Sequence, residues 1–259
     1  MKSIATLRTV LAGLCLGLLV PGAFAASVGS LPVELHPNNV FGLGDVRLPE
    51  GTSYADFAFG ANSYPYLLFG GDYTQFQWAN WTTQVKYYRM SVDDYSTWMG
   101  VWVAGLGDIN GDGHNDLLIG DTRHLMFFNN EGDWANNKGI CYALYDIAQP
   151  EDPGETELDL DDPGENAAVA KITTDQIQSL FGCCSQIVGD VNADGHADIL
   201  VGESGWGPPT TATAYRQLYE SGRACLFYGS EEFADISTTS EGVTLLTGEN
   251  RNDHFGAAV

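Results

Sequence analysis

Basic side chains are scarce in this 259-residue sequence: 11 Lys and Arg stand against 34 Asp and Glu, for a formal net charge of −23. Surfaces that track phosphate, on nucleic acid or on an anionic membrane, are built from Lys and Arg, so the deficit excludes both partners. Long apolar runs are equally rare. The longest, "VLAGLCLGLLV" at residues 10–20, has 11 residues, short of the ~17–25 that a membrane-crossing helix needs. The five histidines are scattered, and neither a zinc motif nor a nucleophile elbow is present. Nothing of that kind marks an enzyme. No helical pattern of ten or more residues follows the first 25.

Those first residues read as a secretory signal. Lys2 and Arg8 give a positive start, the apolar run follows, and Ala23-Phe24-Ala25 forms a small-residue cleavage site. The chain from Ala26 on is therefore expected in the secreted or cell-surface compartment, or in a periplasm. Removing residues 1–25 takes away Lys2 and Arg8 and no acid, so the formal charge goes from −23 to −25. Such a surface invites cations. With 44% hydrophobic and 12% aromatic residues the chain can still bury a core. Cys15 leaves with the signal, and Cys141, Cys183, Cys184 and Cys225 allow three pairings. Their places in the repeat described next suit small buried hydrophobes better than a disulfide scaffold, with pairing between repeat units left open.

"GDINGDGHNDLLIG", from Gly107, returns 82 residues later as "GDVNADGHADILVG". The surroundings return with it. "WMGVWVAGLGD" (Trp98 to Asp108) aligns with "LFGCCSQIVGD" (Leu180 to Asp190), and "GICYALY" from Gly139 with "GRACLFY" from Gly222. The loops before those last strands have 18 and 19 residues, and Val169 to Phe181 equals Val243 to Phe255 in length. This is an internal repeat of roughly 75–80 residues, a period typical of stacked or radial units. A worn earlier copy lies at Asp45 to Gly60, followed by "YPYLLFGG". Each unit reads as four short strands separated by turns, which is the make-up of a propeller blade.

Within each acidic loop, oxygens recur at alternate positions around a glycine. Calcium takes 6–8 hard oxygen ligands at about 2.3–2.6 Å, and the expected set is Asp108, Asn110, Asp112, the carbonyl of His114, and Asp116. The second set is Asp190, Asn192, Asp194, the carbonyl of His196, and Asp198. Three carboxylates ~4–5 Å apart repel by about 1 kcal/mol per pair in water and by several at an effective dielectric near 20. A divalent ion would turn that repulsion into a clip between strands. An EF-hand loop would require Glu at its twelfth position. Here Ile119 and Val201 stand there, inside apolar strands, and the helical alternative fails. The imidazoles of His114 and His196 are expected to face outward, because soft-metal chemistry does not suit a carboxylate-rich loop.

On these residues the chain resembles the FG-GAP repeat family, the blades of the integrin alpha-chain propeller and of many exported bacterial proteins. The resemblance rests on Phe181-Gly182, Phe255-Gly256, the variant Met99-Gly100 and the two acidic sentences. It covers Trp98 to Val259 well and Phe41 to Gly70 loosely. It implies an all-β chain: a β-propeller of four-stranded blades with calcium-binding hairpin loops. The expected division is a degenerate first blade and connection at 26–97, full blades at 98–180 and 181–254, and the start of another at 255–259. About three blades fall short of the 4–8 of a closed propeller, so an incomplete propeller, or a stretch of a longer protein, is expected.

Alternating hairpins would put the calcium loops and the acidic insert "PEDPGETELDLDDPGE" (Pro150 to Glu165) at one end, the insert as a solvated loop. The opposite end would carry Phe127, Phe128, Trp134, Trp206 and Tyr215, either as a recognition surface or packed between blades. The resulting expectation is a calcium-stabilised binding or adhesion protein with a protein or glycan ligand, and not an enzyme. The alternative is the non-catalytic propeller part of a longer secreted hydrolase.

Overall fold

Runs of Val, Ile, Leu, Phe and Tyr become strands here because β-branched and aromatic side chains fit a pleated, half-buried surface. The computed structural model describes residues 40–44, 56–61, 64–70, 84–92, 99–105, 107–122, 127–128, 134–135, 138–177, 179–207 and 220–259. Residues 1–25, where a secretory signal is expected, the acidic stretch after Asp45 and Tyr215 lie outside the described residues. Among those described, the protein is all-β, with no closed sheet.

Three sheets follow one another along the chain. The first runs through β1 (Val40–Gly44), β2 (Asp56–Ala61), β3 (Tyr64–Leu68) and β4 (Lys86–Ser91) as an antiparallel meander. The second uses β5 (Met99–Gly105), β6 (Leu117–Asp121), β9 (Ile140–Tyr145) and β11 (Ala168–Thr173). Its β6–β9 connection carries a two-stranded ladder of β7 (Phe127–Phe128) and β8 (Trp134–Ala135). The third sheet takes β12 (Phe181–Gly189), β13 (Asp198–Glu203), β14 (Arg223–Phe227) and β16 (Thr244–Thr247).

The acidic insert is not the solvated loop that its charge suggests. Its residues Gly154–Asp159 form β10, which adds to the first sheet parallel to β4. Strand alternation explains how so acidic a segment can do this. Glu155 and Glu157 point outward, while Leu158 and Leu160 enter the core. Arg89 pairs with both glutamates, at 3.0 Å and 3.3 Å. These partly exposed ion pairs fix register more than they stabilise, since such pairs are worth about 0–1 kcal/mol. The third sheet sends a similar strap backward: β15 (Ile236–Ser237) adds parallel to β11. Each of the first two sheets thus receives its fifth strand from the sheet that follows.

The second sheet is buried on both faces. Val103, Leu117, Ile119, Tyr142 and Leu144 face a core shared with Leu67, Tyr88 and Met90 of the first sheet. Their neighbours Ala104, Leu118, Cys141 and Ala143 face a core shared with Ile199, Val201, Cys225 and Phe227 of the third. That is the period of two expected of strands, with both faces apolar because both are covered.

Phe181 is the plug of the second core, edge-on to Phe227 with ring centroids 6.3 Å apart. Its carbonyl lies 1.9 Å from where a Cβ on Gly139 would stand, so only glycine fits beneath it. The same joint recurs further on. Phe255 bridges to Gly222, where an added Cβ would meet the Phe255 carbonyl at 2.2 Å.

Candidate functional site

Both acidic sentences form the bend between the first and second strands of a sheet, joining β5 to β6 and β12 to β13. Most of their hydrogen bonds match pair by pair. The amide of Asp112 donates to Asp108 at 3.0 Å and to Asn110 at 3.2 Å, and that of Asp194 to Asp190 at 3.0 Å and to Asn192 at 3.1 Å. Gly113 and Gly195 donate to the other oxygens of Asp108 and Asp190, at 2.8 Å and 2.9 Å. His114 and His196 donate to Asp112 and Asp194. The amides of Ile109 and Val191 donate forward to the Asp116 and Asp198 carboxylates, closing each loop. Asp and Asn favour such side-chain-to-amide turns. Gly113 and Gly195, at φ 90 and 99, supply the left-handed backbone the bend requires.

All ten residues singled out in the sequence therefore lie on the two bends. Asp116 and Asp198 are buried at the strand entrance, and Asp108 and Asp190 orient their carboxylates over the turn. Asp112 and Asp194 are at the exposed rim. Burial pushes the Asp116 carboxyl up to about 8, opposed by the Ile109 amide and reinforced by the charges of Asp112 and Asp108. Asp194 titrates below its ordinary range because His196 and Asn192 donate to it. The His196 Nδ1 lies 3.4 Å from the Asp194 carboxylate.

The donor set fits a hard divalent cation. It is carboxylate, amide and carbonyl oxygen throughout, and each carboxylate oxygen engaged by one amide keeps further lone-pair capacity. Amide donors in this arrangement act as the outer partners that orient a ligand. No three His, Cys, Asp or Glu side chains among the described residues stand together closely enough to hold an ion. Asp112 and Asp194 each accept from the backbone amide two residues on, and turning either toward an ion would exchange that bond for the cation.

Two features escaped the sequence reading. Asp146, just beyond β9, accepts from the Asn110 side chain at 3.3 Å and adds a carboxylate to the first loop. Burial and the nearby Asp112 hold its carboxyl above the ordinary range. The second loop has Gly229 after Tyr228, whose amide donates to Asp198 at 3.0 Å. The only available signal was the Asp following "CYALY". The second feature is that the loops touch. Ala197 donates to the Asp108 carbonyl at 2.7 Å and Ser230 to that of Ile109 at 3.0 Å. Instead of facing outward, the His196 ring lies against Gly111.

At the other end of the third sheet, Trp206 is half-buried, with the Arg223 guanidinium 5.0 Å from its ring centroid. Phe128 and Trp134 are opposite one another in the β7/β8 ladder. The aromatic residues that can be placed therefore lie on connections remote from the acidic bends. No protein-family model matches this chain, and no curated protein matches it significantly.

Proposed function

We propose that this chain is an exported binding or adhesion protein of the FG-GAP, integrin alpha-like type. Its sheets are blades of a β-propeller, and calcium serves as a structural clip in the two acidic bends. Asp108, Asn110, Asp112, the His114 carbonyl and Asp116 would hold one ion; Asp190, Asn192, Asp194, the His196 carbonyl and Asp198 would hold the other. Asp146 supports the first from outside. The ion would supply the positive charge that these carboxylates lack, and the amides of Gly113 and Gly195 would keep the ligands aimed.

The observation carrying this reading is the pair of bends with largely the same hydrogen bonds, made of hard oxygens and almost without a base. A chain of such negative charge gains by neutralising these sites, since whole domains are stable by only ~5–15 kcal/mol. Ligand recognition, of protein or glycan, falls to connections away from the calcium bends, where the placed aromatics are found. Thermal unfolding of the chain from Ala26 onward tests the first part. Calcium should raise the midpoint and magnesium much less, because magnesium demands a stricter octahedral shell. Identical curves in calcium and in chelator would refute the clip.

A further inference from the structure

Neighbouring residues of a regular strand point to opposite faces, yet the sulfurs of Cys183 and Cys184 are 3.9 Å apart. A bulge in β12 explains this. Phe181 pairs with Glu203 and Ser185 with Val201, so Gly182, Cys183 and Cys184 all lie opposite Gly202. The amide of Cys183 donates to the Leu180 carbonyl at 3.0 Å, and Leu180 and Gly182 take φ of 57 and 78. Bulges re-aim side chains in this way, and here both thiols arrive on one side. The corresponding bulge of the second sheet, between Met99 and Trp102, holds no cysteine.

We propose that Cys183 and Cys184 form a reversible vicinal disulfide by exchange with small disulfides of the glutathione type. The Cys183 thiolate attacks one sulfur of the small disulfide, forming a mixed disulfide and releasing one small thiolate. Cys184, deprotonated in the step, then attacks the Cys183 sulfur and expels the second. Two protein thiols are oxidised and one disulfide is reduced to two thiols, so electrons and protons balance.

The division of labour follows from position. Cys183 is partly exposed and lies 3.6 Å from the Ser204 hydroxyl, while Cys184 is buried and donates to the Gly256 carbonyl at 3.1 Å. The Cys184 thiol and the Ser204 hydroxyl draw the Cys183 thiol down against the effect of burial, and Cys184 is raised in turn. Thiolate fraction and access both favour Cys183 as the attacker. Adjacent Cα atoms are about 3.8 Å apart, below the ~4.4–6.8 Å usual for a disulfide. Strain of that kind makes the bond easily reduced. Closing it also removes the Cys184 thiol donor to the Gly256 carbonyl and loosens the Phe255-Gly256 joint. No cation takes part in any of this.

Digestion with trypsin separates the candidates, because Ile172 to Arg216 carries Cys183 and Cys184 alone, while Cys141 and Cys225 fall in other peptides. The reduced, folded chain is treated with glutathione disulfide, blocked, unfolded, alkylated and weighed by mass spectrometry. The expected product is that peptide lacking two hydrogens, with Cys141 and Cys225 alkylated, and full recovery of both thiols on adding reduced glutathione. Cys184→Ser should stop at a glutathione adduct on Cys183. Cys183→Ser should react about tenfold more slowly or less. Wild-type protein that keeps both thiols, halts at the mixed disulfide, or links either sulfur to Cys141 or Cys225 overturns the proposal.

Discussion

The His196 ring of the second acidic bend lies over Gly111 of the first, with Nε2 2.9 Å from where a Cβ on Gly111 would stand. The bends are therefore mechanically joined, and a change in one should be felt in the other. Gly111→Ala adds that Cβ at φ 81, a left-handed backbone that costs an ordinary residue about 1–2 kcal/mol. We expect a stability loss of about 2 kcal/mol or more once the imidazole must also move. His196→Ala in the same chain should return only the steric part. A double-mutant cycle by urea unfolding measures the coupling, and strict additivity would mean that the ring and the glycine do not touch in solution.

The equivalent of Gly111 in the second bend is Ala193, at φ 63. Ala193→Gly removes the strain, and the greater freedom that glycine has when unfolded takes some of the gain back. A net rise of up to about 1 kcal/mol is expected. A loss of stability in urea would show that the bend relaxes away from the left-handed conformation.

Asp112→Ala and Asp194→Ala should each remove roughly half of any calcium-dependent rise in melting temperature. Asp146→Asn should weaken the first bend alone, because Gly229 holds the corresponding place in the second. Calcium titration followed by calorimetry separates the two sites. If Asp146→Asn leaves both affinities unchanged, the contact of Asp146 with Asn110 is only structural.

Strand positions and the acidic bends were legible because both are local. Alternation fixes which side chains go inward, and Asp, Asn and Gly at set spacings fix a turn. Partners across sheets were not legible. Asp146 reaches Asn110 only because β9 ends beside the bend, and His196 reaches Gly111 only because two sheets pack together. The acidic insert misled for a related reason. Its charge argues for solvent, but Glu155 and Glu157 alternate with positions that face inward, and Arg89 waits on a strand some 66 residues earlier. The nearness of Cys183 and Cys184 depended on a bulge that no periodicity announces.

The most demanding prediction concerns Arg223, buried between Glu203 and Asp175. Burial raises the Glu203 carboxyl although Arg223 pulls it down, and Thr174 donates to it at 2.5 Å. Burial also acts to raise Asp175, but donation from Arg223 and Thr238 more than offsets it, and its carboxyl lies below the ordinary value. The two acids therefore respond to pH with opposite sign. Asp175 contributes stability that is present above its unfolded value and lost as pH falls through the lower folded one. Glu203 contributes stability that is fully present below its unfolded value and lost as pH rises through the higher folded one. Arg223→Leu leaves the Glu203 charge buried and unpaired, at a cost of about 3–5 kcal/mol near neutrality. It also removes one of the two side-chain donors that hold Asp175 low and leaves Thr238 in place, so the acid-side loss from Asp175 should shrink. Lowering the pH from neutrality toward about 4 should then restore much of the variant's stability as Glu203 takes up a proton. Arg223→Leu with Glu203→Gln should be less sensitive to pH across that range. A single variant whose stability falls in parallel with wild type on acidification would show that Glu203 does not carry the penalty.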